Sequence, residues 1–148
     1  MGLTFKMELT GADSVKAVLK QLEADAGPAM RAALYQEGTE LLNESKELCP
    51  IDTGTLIGSA YIEESNNADV TTPEVIVGYG GAAAPYALSV HENPRSGHTG
   101  GVSPSGRKYK HWAQVGQWKY LETPFKSRVT GFDDRIGAFL RARLLKGG

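Results

Sequence analysis

Apolar and polar residues alternate at the start of the chain, where Leu3, Phe5, Met7 and Leu9 are separated by Thr4, Lys6 and Glu8. A period of two marks a strand with one buried face. The spacing changes after the Thr10-Gly11 turn. Val15, Val18, Leu19 and Leu22 then fall on one face of a short helix that Asp13 or Ser14 can cap. Gly27-Pro28 is expected to break that helix and start another, since proline suits a first helical turn. Met30, Ala33, Leu34, Leu41 and Leu48 form the apolar stripe of this second helix, a rod of about 30 Å over roughly twenty residues. Glu37, Glu40, Glu44 and Glu47 give it an acidic face, read as solvated.

Residues 49–59, CPIDTGTLIGS, stop the helix and restart the chain as a sheet. Pro50 lacks an N–H and disfavours helical geometry at Cys49. Asp52, Thr53 and Gly54 supply turn chemistry, with Gly54 free to take a positive φ. The stretch is a structural joint. Residues 60–64 and 70–79 then read as two strands of a hairpin around Asn66-Asn67, with Pro73 marking an edge or bulge early in the second. A short helical turn is expected over residues 85–92, anchored by Leu88. Residues 93–118 lack periodicity and are rich in glycine, serine and basic side chains, yet they carry Tyr109, Trp112 and Trp118. A long loop of that kind implies function or disorder, and its aromatic residues imply ordering by a partner. Thr123-Pro124 opens a last helix, whose one face runs from Phe125 through Val129, Phe132, Ile136, Phe139 and Leu140 to Leu145. Gly131 and Gly137 weaken it by about 1 kcal/mol each unless something packs against them. Leu34, Leu41, Phe132, Ile136 and Phe139 are the expected core, where the two long helices pack over the sheet.

The 148 residues suit a single domain spanning 1–148. A 41% hydrophobic and 22% charged composition is that of an ordinary globular chain. No apolar run approaches the roughly 20 residues of a membrane span, and the first residues lack the apolar core of a secretory signal. A single cysteine, Cys49, excludes an intrachain disulfide and a cysteine-rich zinc site. The net charge of −1 conceals an asymmetry. Residues 1–92 hold 5 basic against 14 acidic side chains, whereas residues 93–121 hold 5 basic and none acidic. An acidic body with a basic loop can associate with copies of itself or meet a polyanion, and a solvated surface without a partner is the plainer alternative.

Candidate chemistry narrows little further. Asp52-Thr53-Gly54 matches the aspartic-protease triplet, but that mechanism needs two carboxylates sharing a proton, and here the triplet follows a helix and a proline. His91-Glu92 begins like a zinc-protease motif, yet position 95 is Arg95 and the second histidine is missing. His98 and His111 add no recognisable ligand spacing. The segment Gly78-Tyr79-Gly80-Gly81 is too short for a dinucleotide loop, and Cys49 reads as a packed thiol. No enzyme, cofactor or metal is expected. Arg107, Lys108 and Lys110, interleaved with Tyr109 and Trp112, suit phosphate contact with stacking, or equally a subunit interface.

Three stretches, taken in order, resemble the tail-component or tail-completion (neck) proteins of long-tailed bacteriophages. The first is the long helix running into residues 49–59, similar to that family's proline–x–aspartate–threonine–glycine–x–leucine turn. The second is a strand ending in Val77-Gly78-Tyr79, followed by Pro85-Tyr86-Ala87 and His91-Glu92. The third is residues 119–125, KYLETPF, leading into the last helix. The resemblance implies an α+β fold: a small, mainly antiparallel sheet packed by a long central helix and a C-terminal helix, with 93–118 as a basic insert. It implies a non-enzymatic virion protein, assembled in the bacterial host cytoplasm as a six-fold or twelve-fold homo-oligomeric ring around the DNA channel. Head-closure or connector and tail-terminator proteins would be its partners, with non-specific contact to genome DNA and no membrane. Arg107, Lys108, Tyr109, Lys110, Trp112 and Trp118 are then candidates for the subunit interface or the channel lining. Pro50, Asp52, Thr53 and Gly54 form the structural joint. The alternative from another class is a nucleic-acid-binding module acting through residues 95–112.

Overall fold

A computed structural model of the chain describes residues 12–64, 73–96 and 116–145. Its elements run α1 (Ala12–Leu48), α2 (Thr55–Gly58), β1 (Ala60–Glu64), β2 (Val75–Tyr79), a 3-10 turn (Gly81–Ala83), α3 (Ala84–Glu92), α4 (Glu122–Val129) and α5 (Phe132–Leu144). The fold is α+β, with a long helix and C-terminal helices packed around a small antiparallel hairpin. The expected strand at residues 3–9, the Asn66-Asn67 turn and residues 97–115 lie outside the described residues.

The expected break at Gly27-Pro28 does not occur: α1 is continuous for 37 residues, with Pro28 inside it. Proline there removes one hydrogen bond and crowds the residue before it. That residue is Gly27, which has no Cβ to clash, and the Ala24 and Asp25 turn is open to water. Between residues 19 and 26 only Leu22 is partly covered, and Leu19, expected on a buried face, is exposed. The first turns of α1 therefore project beyond the body that the rest of the helix helps to build.

Packing tightens further along. Gly38 faces the hairpin so closely that an added Cβ would stand 2.9 Å from Ile62 Cδ1 and 3.0 Å from Val75 Cγ1. The sheet thus sits directly on the helix backbone. β1 and β2 pair antiparallel with Ile62 opposite Val77 and Glu64 opposite Val75, as the hairpin reading required. Pro73 precedes β2 instead of interrupting it, which leaves the ladder intact. On another side of α1 lies α5. Ala33 and Ala29, one and two turns before Glu37 on the same ridge, are buried, and Arg135 of α5 reaches Glu37.

The single C-terminal helix expected from the apolar spacing is two helices. The chain turns at Thr130-Gly131, where Gly131 takes φ +74°, so this glycine ends one helix and opens the next. Of the expected core, Ile136 is buried, while Leu34, Leu41, Phe132 and Phe139 are only half-buried. The buried centre lies elsewhere. It gathers Cys49, Leu56, Ala83, Ala87, Val90 and Tyr120, with Leu48, Ile57, Tyr79, Tyr86 and Leu121 against them. Leu88, the expected anchor of α3, is 72% exposed, and the helix buries Ala87 and Val90 instead. Those two lie three residues apart and share a face, from which Leu88 points away.

Candidate functional site

The joint after α1 behaves as its sequence requires. The helix ends at Leu48, and Pro50 and Cys49 are buried behind it. Gly54 takes φ +83° at the head of α2. The Thr53 and Thr55 hydroxyls bond to each other at 2.8 Å, and Ser59 closes α2 through its N–H and hydroxyl on the Leu56 carbonyl. Asp52 is half-buried and engaged with its surroundings.

A later segment straps this joint to α3. The Leu48 carbonyl, at a helix end where intrahelical donors run out, accepts the Gln117 N–H at 2.7 Å. Gly116 lies against Pro50, where an added Cβ would fall 2.5 Å from the proline Cα. Three residues on, the Lys119 N–H donates to the His91 carbonyl at 2.8 Å. Directly after the second tie Tyr120 inserts into the core, 2% exposed. Its hydroxyl donates to the Ala87 carbonyl at 2.9 Å. Its ring meets Tyr79 and His91 edge to face, each at 5.0 Å, the arrangement that aromatic quadrupoles favour. Tyr79 in turn shares a 2.8 Å hydrogen bond with the buried Ser45 of α1. Burial raises the Tyr120 and Tyr79 phenols above their ordinary range and pushes the Cys49 thiol up to about 12. That thiol is an inert packing group, as expected.

A charged cluster sits over this core. Glu92 bonds His91 Nδ1 at 2.7 Å and Lys119 Nζ at 2.6 Å, and Lys119 also reaches Glu122 at 2.6 Å. Lys126 completes it on the other oxygen of Glu122. His91 Nε2 accepts the Glu122 backbone N–H at 3.3 Å, so a proton on Nδ1 satisfies both ring nitrogens. The hydrogen bonds from Lys119 and Lys126 hold the Glu122 carboxyl down to about 2. Lys119 and His91 likewise lower Glu92, and the two carboxylates raise Lys119. His91, Glu92 and Glu122 present ligand atoms within 4.8 Å of one another, close enough to hold a cation. The Lys119 ammonium already bridges both carboxylates, and a metal ion would have to displace it.

A second ionic cluster was not legible in the sequence. Glu37, read as part of a solvated face, is largely covered and takes Arg135 at 2.8 Å and Arg128 at 3.0 Å. Arg128 also reaches Glu44. Burial tends to raise the Glu37 carboxyl, but the hydrogen bonds from Arg135 and Arg128 prevail and lower it. The acidic stripe is therefore partly a docking strip for the C-terminal helices of its own chain. Glu40 and Glu47 remain exposed.

Among the expected interface residues, Trp118 is described. It is 39% exposed, with the Lys119 ammonium 5.9 Å from the centre of its ring. Arg107, Lys108, Tyr109, Lys110 and Trp112 lie outside the described residues. No helix among the described residues is long and apolar enough to cross a membrane. No family model, curated protein or solved structure matches the chain. The site therefore rests on its geometry. That geometry joins residues 48–56, Tyr79, residues 87–92 and residues 116–122 in one interlocked unit.

Proposed function

We propose that the chain is a structural subunit of a tailed bacteriophage virion, forming a homo-oligomeric ring at the head–tail junction. It would join the head connector to the tail around the DNA channel, without catalysis. One observation carries this reading. The three separated stretches that resemble the neck family pack against one another in a single core, through Cys49, Leu56, Tyr79, Ala87 and Tyr120. Stretches that served only as local turns would have no reason to meet in one core. The polar residues of those stretches are spent on holding the chain together: Lys119 between two glutamates, His91 between a carboxylate and an N–H, Tyr120 on a carbonyl. Exposed Phe125, Val129 and Leu88 add apolar surface suited to a neighbour.

The test is the mass of the purified protein by light scattering and native mass spectrometry, alone and with head-closure and tail-terminator proteins. Closed oligomers of defined size are expected. A monomer at all concentrations that binds DNA with a steep salt dependence would instead support a nucleic-acid-binding module acting through residues 95–112.

A further inference from the structure

The hairpin has an open edge, and the geometry of α1 decides what can cover it. Just past the end of the ladder and in its register, the Gly80 N–H donates to the Ser59 carbonyl at 3.1 Å. Antiparallel pairing alternates, so the backbone groups of Val75, Val77 and Tyr79 turn away from β1, toward the free side of β2. Among the described residues, no hydrogen bond is made to them across that edge. Beside the edge runs an open groove of about 410 Å³, lined by Leu41, Val75, Val77, Leu121 and Phe125, with His91 and Glu122 at its rim. Phe125 is 54% exposed there. A two-stranded sheet is marginal alone, and an unpaired edge beside an apolar groove suits a third strand.

The chain contains one further strand pattern, at residues 3–9. A strand laid on β2 would place Leu3, Phe5, Met7 and Leu9 in the groove and Thr4, Lys6 and Glu8 outward. Its own subunit cannot supply it. Gly38 marks the level of the hairpin on α1, and about 39 Å of helix separates it from Ala12. The three steps from Ala12 back to Leu9 span about 11 Å at full extension. A proline kink of about 30° at Pro28 would shorten the helical span by only about 1 Å. We infer that the β2 edge of one subunit is completed by residues 3–9 of a second copy of this chain, carried there by the projecting start of α1. The inference deepens the ring reading and rests on it, by naming the contact through which copies join.

The test compares the full chain with Phe5→Asp and with a deletion of residues 2–10, with circular dichroism verifying that the helices persist. Association about tenfold weaker or more is expected for both variants, together with lost amide-exchange protection at Val75, Val77 and Tyr79. Separately, Lys6→Cys chains are mixed with Ile76→Cys chains and treated with a short bismaleimide, Cys49 being fully buried and unreactive. A cross-link joining one chain of each kind is expected. A cross-link formed within a dilute Lys6→Cys/Ile76→Cys double variant overturns the exchange between copies. Oligomers unchanged by Phe5→Asp and by the deletion also overturn it, while leaving the ring reading intact. A wild-type chain that stays monomeric overturns both.

Discussion

Tyr120 offers two separable losses, a hydrogen bond and a packed ring. Tyr120→Phe keeps the ring between Tyr79 and His91 and removes only the bond to the Ala87 carbonyl. A net hydrogen bond contributes about 0.5–1.5 kcal/mol, and the carbonyl left behind still has its helical partner. Tyr120→Ala removes an almost wholly buried ring from the centre of the core, where large-to-small changes cost about 3–5 kcal/mol. Urea unfolding followed by circular dichroism, at fixed protein concentration because association adds stability, measures both. The midpoints should fall in the order wild type, Phe, Ala, with the slope preserved. If Tyr120→Ala cost no more than Tyr120→Phe, the core would not be centred on this ring, and the strap from Gly116 to Leu121 would be a surface feature.

Three further outcomes follow from the same packing. Gly54→Val should cost about 1–3 kcal/mol through backbone strain at positive φ, since nothing lies within 4 Å of an added Cβ, whereas Asp52→Asn should leave assembly intact; an Asn variant that folds and assembles but loses function would restore a chemical role for the aspartate. Glu37 has a folded pKa below its ordinary 4.5, so its contribution is present above that value and disappears as pH falls through the folded one. Glu37→Gln should therefore flatten the acid limb of a stability–pH curve, and an unchanged limb would refute the pairing with Arg128 and Arg135. Ile136→Ala should cost about 2–5 kcal/mol by thermal or urea unfolding, clearly more than Leu34→Ala at a half-covered position; equal costs would show that the difference in burial between the two does not set the penalty.

The turn chemistry was legible because it acts locally. Pro50 ends α1, Gly54 takes its positive φ, and the strands expected within residues 60–64 and 70–79 pair as a hairpin, all from rules that need only near neighbours. Pro28 departs from its local rule for a local reason: Gly27 beside it has no Cβ to clash, and the freed carbonyl has access to water. The other departures have the opposite cause. Leu88 outranks Ala87 by size, but the face of α3 that meets Tyr120, a residue 33 positions away, carries Ala87 and leaves Leu88 outside. The core moved from the helix stripes to Cys49 and Tyr120 because it is built from segments about seventy residues apart, which no window spans. Glu37 looked solvated for the same reason. Its partners Arg128 and Arg135 arrive from the far end of the chain.

That last correction changes how charge can act between copies. Were all four glutamates of the α1 stripe solvated, the basic residues 107–110 of a neighbour would meet a continuous acidic rod. With Glu37 and Glu44 held by Arg128 and Arg135, the exposed pair is Glu40 and Glu47, about 10 Å apart along the helix. That separation is close to the Debye length at 0.1 M salt, so each carboxylate acts nearly alone. Exposed pairs of this kind contribute about 0–1 kcal/mol and chiefly speed encounter. Exposed apolar surface, including Phe125 and the half-open face of Trp118, is indifferent to salt. Oligomers joined through apolar contacts should keep their mass as salt rises from about 0.1 to about 1 M, where the Debye length shrinks to about 3 Å, while their assembly slows. Sedimentation across that series decides the matter: dissociation at high salt would mean that the basic loop on the acidic helix carries the affinity, and that Glu37 and Glu44 exchange their partners when copies meet.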